Sequence, residues 1–140
     1  MAFTGNFSCN TLRAGLANAS INLTTDTFYL ALYTNDATLD ETTTAYTATG
    51  ESTGAGYTAG GQVVTATVSS QTTASGSITY VSFTSPVWTG AITARGALIY
   101  KAGANGAICV LDFGNDKTST NSFTVTMPAN TSTSALIRLV

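Results

Sequence analysis

Four carboxylates fall within one stretch of this chain: Asp36, Asp40, Glu41 and Glu51. Oxygen ligands gathered in a loop could take calcium, and two carboxylates at a fixed separation could hydrolyse a glycosidic bond. The spacing matches no EF-hand, and nothing in the sequence sets two of these groups at a defined distance. A solvated acidic loop accounts for them better. Gly54, Gly56, Gly60 and Gly61 follow closely. Their spacing fits neither the dinucleotide fingerprint nor the P-loop, and no Lys-Ser/Thr closes the run, so tight or flexible turns explain them. Asp112-Phe113-Gly114 spells the metal-binding tripeptide of protein kinases, but the Gly-rich loop, strand lysine and catalytic loop are missing. A strand ending in a turn accounts for the same letters.

Hydroxyl groups are plentiful, since about one residue in five is threonine, yet there is no histidine in 140 residues and only 9% are charged. Histidine is the usual base near neutral pH, and no Gly-x-Ser-x-Gly elbow positions a serine. The expectation is a chain that is not an enzyme, with no catalytic, cofactor-binding or metal-binding residues. Five basic residues (Arg13, Arg95, Lys101, Lys117, Arg138) are scattered, and the net charge is −2. No row of phosphates and no anionic membrane surface is matched by that pattern. No apolar run is long enough to span a bilayer as a helix. The first residues lack a basic, then apolar, leader, which reads as synthesis in the cytosol. Cys9 and Cys109 therefore read as buried free thiols. The Asn-x-Ser/Thr tripeptides at Asn6, Asn18, Asn22 and Asn130 are chance matches in so hydroxyl-rich a chain.

The elements that would position these groups are mostly strands. Residues 8–20 read as the one helix, capped by Ser8 or Asn10 and weakened by Gly15. Residues 27–34 alternate Phe28, Leu30 and Leu32 with Tyr29, Ala31 and Tyr33, so both faces of that strand should be covered. Residues 35–61 break the pattern and form a long loop, and loops of that length tend to be functional. Residues 62–68 and 78–84 alternate again, on either side of a turn-rich Ser/Thr/Gly stretch. A short strand is expected near Val87–Trp88. Asn105-Gly106 marks a hairpin between residues 95–101 and 107–113, across which Arg95 and Asp112 can pair; an interface role for Arg95 is the sharper alternative. Trp88 reads as core. Two further strands cover residues 121–127 and 135–140. Seven or eight short strands in one domain spanning residues 1–140 give an all-β class, a jelly-roll-like β-sandwich with one short N-terminal helix and a long loop.

Several stretches together resemble a known type: Phe28-Tyr29-Leu30-Ala31-Leu32-Tyr33-Thr34, Thr43-Thr44-Ala45-Tyr46, and Gly54-Ala55-Gly56-Tyr57-Thr58-Ala59-Gly60-Gly61. Ala94-Arg95-Gly96-Ala97-Leu98-Ile99-Tyr100 and Val110-Leu111-Asp112-Phe113-Gly114 complete the set. The chain is similar to the cement, or capsid-decoration, proteins of short-tailed bacteriophages over most of residues 25–140. The resemblance implies a jelly-roll-like sandwich on the outside of an icosahedral head. It further implies a homodimer that clamps neighbouring major capsid protein subunits, and localisation in the virion. A head-fibre base, a tail component, or a carbohydrate-binding adhesin module are the alternatives. Tyrosine is enriched in interfaces, so Thr44, Tyr46, Glu51 and Tyr57 of the long loop, together with Arg95, are the candidate contact residues. Deleting residues 42–58 is expected to leave a folded domain that no longer binds heads.

Overall fold

Alternation of apolar and hydroxyl residues pairs this chain into antiparallel strands. The computed structural model describes residues 3–139. Among them lie one helix, α1 (Asn10–Ala17), and ten strands: β1 (Phe7–Ser8), β2 (Phe28–Tyr33), β3 (Gln62–Val64), β4 (Ala66–Thr73), β5 (Gly76–Phe83), β6 (Val87–Thr89), β7 (Thr93–Lys101), β8 (Ala107–Thr118), β9 (Ser122–Thr124) and β10 (Ile137–Leu139). A five-stranded sheet runs in the order β1-β8-β7-β2-β3, a three-stranded sheet in the order β10-β5-β4, and β6 pairs with β9. The all-β sandwich with one short helix and a long loop is what the sequence folds into.

The five-stranded sheet is covered on both faces, as the two-sided pattern of β2 requires. Phe28, Leu30 and Leu32 share the sandwich core with Ile99, Ile108, Val81, Phe83, Trp88 and Phe123. Phe28 meets Phe83 edge-on at 5.8 Å. Ala31 and Tyr33 point to the other face, where Phe3, Cys9, Ala37, Leu39, Leu98 and Val110 form a second cluster. Each large apolar side chain removed from water contributes roughly 1.5–3 kcal/mol. Two such clusters form the core, and both cysteines are free and buried.

Several elements differ from the sequence expectation. The helix covers only Asn10–Ala17, because Ser8 pairs with Cys109 in the sheet and Cys9 takes the cap position without a side-chain bond. Gly15 is needed there: a Cβ would come within 2.4 Å of the Ile21 side chain. Residues 62–68 are not one strand. The chain leaves one sheet at Val64 and enters the other at Ala66. The Ser/Thr/Gly stretch that follows is a continuous hairpin of β4 with β5 rather than a set of turns, closed by Ala74 and Ser75. The hairpin of β7 and β8 is present, with Asn105 left-handed at φ 57°. Its second arm does not end at Gly114. It passes through an irregularity between the Gly96–Asp112 and Ala94–Lys117 pairs and pairs again up to Thr118. Trp88 is buried. No helix among the described residues is long and apolar enough to cross a membrane.

Candidate functional site

The long loop, residues 35–61, has no helix and no strand, but it is tied down throughout. Residues 50–52 run beside the end of β2: the Thr34 N–H donates to the Gly50 carbonyl at 2.8 Å, and the Ser52 N–H donates to the Leu32 carbonyl at 2.8 Å. Glu51 bridges to Tyr33. Ser52 is buried, and its hydroxyl donates to the Thr93 carbonyl at 2.8 Å. The loop thus continues the sheet edge that β3 begins. Gly61, at φ 80°, lets it pass over β2; a Cβ would stand 1.8 Å from the Leu30 carbonyl oxygen. Gly56 and Gly90 pass backbone to backbone, where a Cβ on either would lie 1.7 Å from the opposing carbonyl. Of the tight or flexible turns that the glycines allowed, Gly56 and Gly61 are of the tight kind: they permit close backbone packing.

Glu51 is the hub of this arrangement. One carboxylate oxygen accepts the Tyr46 hydroxyl at 2.6 Å, and the other accepts the Tyr57 hydroxyl at 2.6 Å and the Gly60 N–H at 2.7 Å. The Tyr57 hydroxyl in turn accepts the Leu32 N–H at 2.9 Å. The carboxylate therefore ties both tyrosines of the loop to the sheet. The bond to Glu51, then burial, pushes the Tyr46 phenol up to about 12. Burial, then Glu51, pushes Tyr57 up further. Tyr33 is raised chiefly by burial, and its hydroxyl donates to the Thr47 carbonyl at 2.7 Å. All three stay neutral donors at neutral pH, which suits them to hold shape.

Tyr46 also completes a row of rings. Tyr29 of β2 stacks on Tyr100 of β7 at 5.6 Å, and Tyr100 stacks on Tyr46 at 5.0 Å. The Tyr100 hydroxyl donates to the Gly60 carbonyl at 2.7 Å, and burial raises its phenol to about 12. These rings, with Gly60, Gly61 and the tip of the β7–β8 hairpin, line an open depression of about 510 Å³. The stack could hold a flat or apolar surface by contact, with hydroxyls at its edge.

The candidates drawn from sequence separate into three groups. Thr44 is exposed while its carbonyl accepts the Ala107 N–H at 3.0 Å, so its side chain is presented by a fixed backbone. Tyr46 is half-buried and borders the depression. Glu51 and Tyr57 face inward and hold the loop. Arg95 is not with them: it is 8% exposed, paired with Asp112 and placed over the Phe3 ring at 5.8 Å. The cross-strand pairing is present, and the buried guanidinium has little surface to offer a partner. Asp40 bonds the side chain and backbone of Thr42, which holds its carboxyl below the usual range. Among the described residues no three His, Cys, Asp or Glu side chains gather to hold a metal ion. Tyr29 and Tyr100 were missed by sequence reasoning, because only the pairing of β2 with β7 makes them neighbours. No family model, curated protein or solved structure matches this chain.

Proposed function

We propose that this chain is a structural protein of a bacteriophage virion. In this reading it is a cement protein that binds the outside of the capsid as a homodimer and stabilises contacts between major capsid protein subunits. The motif resemblance supplies the class. The observation that carries the reading is the long loop: irregular, yet fixed by Glu51 and presenting Thr44 and the ring of Tyr46 from a rigid sheet. A contact surface ordered before binding loses little entropy when it docks, which suits a part that works by fit. Binding assembled shell more tightly than free subunits would stabilise the shell by mass action.

Deleting residues 42–58 is not a clean test, because it removes Glu51, Ser52 and Tyr57 and their bonds to the sheet. Thr44→Arg is cleaner. The protein should be found by mass spectrometry in purified virions at hundreds of copies, and Thr44→Arg should decorate heads more weakly while unfolding at the wild-type midpoint. Absence from virions would end the reading, and a handful of copies would favour a head-fibre base or tail part. The half-buried Tyr46 ring beside the open depression favours one second reading, a carbohydrate-binding adhesin module, because sugars dock on aromatic faces that solvent reaches. Saturable binding on a glycan array, lost with Tyr46→Ala, would support it.

A further inference from the structure

The strand edge along residues 62–73 is open. β3 borders only β2, and β4 borders only β5. Among the described residues, the backbone of Ala66–Thr73 makes no backbone hydrogen bond except to β5. Proteins protect long edges with charge, proline or a bulge. β4 reads Ala-Thr-Val-Ser-Ser-Gln-Thr-Thr, has none of the three, and runs in unbroken register with β5. The far half of this hairpin is also bare: residues 70–77 are all exposed, although they alternate between two faces. A two-stranded ribbon without further support is marginal in water. Cross-strand hydroxyl contacts, Ser70 with Thr79 at 3.0 Å and Thr72 with Ser77 at 3.4 Å, support its register.

We propose that β4 joins two copies of this chain, edge to edge, by antiparallel pairing about a two-fold axis at Ser70. The closing turn sets which groups are free. Ala74 and Ser75 form a two-residue turn, so Thr73 and Gly76 are the hydrogen-bonded closing pair. Alternation then points the N–H and C=O of Val68, Ser70 and Thr72 outward. An axis at Ser70 opposes Ser70 to itself, Val68 to Thr72 of the second copy and Ser69 to Gln71 of the second copy. No opposed pair carries charge, so the edge can meet itself without repulsion.

The second copy is favoured over a foreign strand by two features of the edge. Self-pairing lays the bare tip of each arm beside the base of the other, where Ala74 meets Ala66 of the second copy, and it covers Val68, which is 37% exposed alone. Both unsupported halves are served at once. The pairing also closes: it makes one six-stranded sheet and consumes the long edge of each copy. Of the other free edges, β1 has two residues and β3, β6, β9 and β10 have three each, too few to specify a register, while the part of β8 beyond β1 is broken by an irregularity and carries Asp116 and Lys117. This surface deepens the homodimer named above. It can fail without touching the capsid assignment, because isolated protein tests it.

Sedimentation and native mass spectrometry of the full chain should give a species of twice 14.3 kDa. Ser70→Lys and Ser70→Glu each place like charges across the axis and should weaken association roughly tenfold or more. An equimolar mixture of the two should restore a mixed dimer, which only folded variants can form. Hydrogen exchange of the wild type provides an independent reading: the Ser70 and Thr72 amides should be protected in the dimer. A monomer at every concentration, a dimer indifferent to both substitutions, a mixture that stays monomeric, or unprotected amides at Ser70 and Thr72 would each overturn the proposal.

Discussion

Glu51→Ala should loosen the long loop and destabilise the whole domain. The carboxylate accepts three donors, from Tyr46, Tyr57 and Gly60. In the alanine variant Tyr46 turns to water, because it lies at the surface depression. Tyr57 and the Gly60 N–H are more enclosed, and each stranded donor costs about 1–3 kcal/mol. Both are half-buried, so the lower part of that range applies and the sum is about 2–4 kcal/mol. For a domain of this length that lowers the melting temperature by about 10 °C. Glu51→Gln should cost less, about 1–2 kcal/mol. The amide oxygen can keep Tyr57 and Gly60, while the amide nitrogen turns the Tyr46 hydroxyl from donor to acceptor. Urea unfolding followed by Trp88 fluorescence measures both, since this buried ring lies 5.8 Å from Tyr57. In a Tyr57→Phe background Glu51→Ala should cost less, because one of the stranded donors is already gone. A Glu51→Ala variant within about 0.5 kcal/mol of wild type, the range of inert surface changes, would refute the hub. The loop would then owe its order to its backbone bonds at Thr44, Thr47, Gly50 and Ser52 and to the glycine contacts.

Gly56→Ala and Gly103→Ala both force a side chain into positive φ, at 87° and 101°, but only Gly56 also faces a carbonyl, with open space around Gly103. Gly103→Ala should cost about 1–2 kcal/mol, and Gly56→Ala should cost at least about 2 kcal/mol more; equal midpoints in chemical denaturation would contradict the packed-loop account. Arg95→Ala strands the enclosed Asp112 carboxylate and should cost about 3–5 kcal/mol, whereas Arg95→Met with Asp112→Leu should cost less than that single change. Both are read by thermal unfolding, and the reverse order would show that the pair is not what holds this site. Tyr46 and Tyr100 are raised to about 12 in the fold. A group raised on folding adds stability that is intact below its unfolded pKa near 10 and is lost as pH climbs toward its folded value. Stability should therefore fall between about pH 10 and 12, with tyrosinate absorbance from these rings appearing together with unfolding; early titration while the fold persists would count against the enclosed rings.

The parts of this fold legible in sequence were those with local period. β2 shows its two-sided burial in six alternating letters, and Asn105-Gly106 marks the hairpin of β7 and β8. Hidden from sequence was whatever depends on the pairing of distant strands. Thr65 sits between two strands of different sheets, yet its neighbours alternate without a break, because changing sheets costs no change in period. The stretch after Ser69 looked like turns because serine, threonine and glycine favour turns alone. With β5 beside it, the same residues make an edge ribbon. The site was half legible. Tyrosines in a long loop pointed to Tyr46 and Tyr57, but Glu51 read as one acid among four. Only the fold, which brings the Tyr46, Tyr57 and Gly60 donors to its carboxylate and bridges it to Tyr33, shows it as an anchor. Arg95 could be read either as a cross-strand partner or as a contact residue, and its burial decides for the first.

The scarcity of charge acquires a structural meaning at β4. An edge strand with lysine or glutamate would be soluble and solitary, and this one carries hydroxyls instead. Hydroxyls bond sideways along the ribbon, as Ser70 does with Thr79, and keep the outward backbone groups straight without repelling an identical strand. The long loop uses the complementary device. It turns the Glu51 carboxylate inward, on Tyr46, Tyr57 and Gly60, and so organises the uncharged depression beside Tyr46, while Asp36 and Glu41 of the same loop stay exposed. β4 and the depression beside Tyr46 both present uncharged surface on a sheet, and recognition on such surfaces depends on register and fit. A single charge at Ser70 should therefore do more damage to association than a single charge on the shorter edge, at the exposed Val63. If Val63→Asp disturbed association more than Ser70→Lys, the shorter edge of β3 would be the working contact.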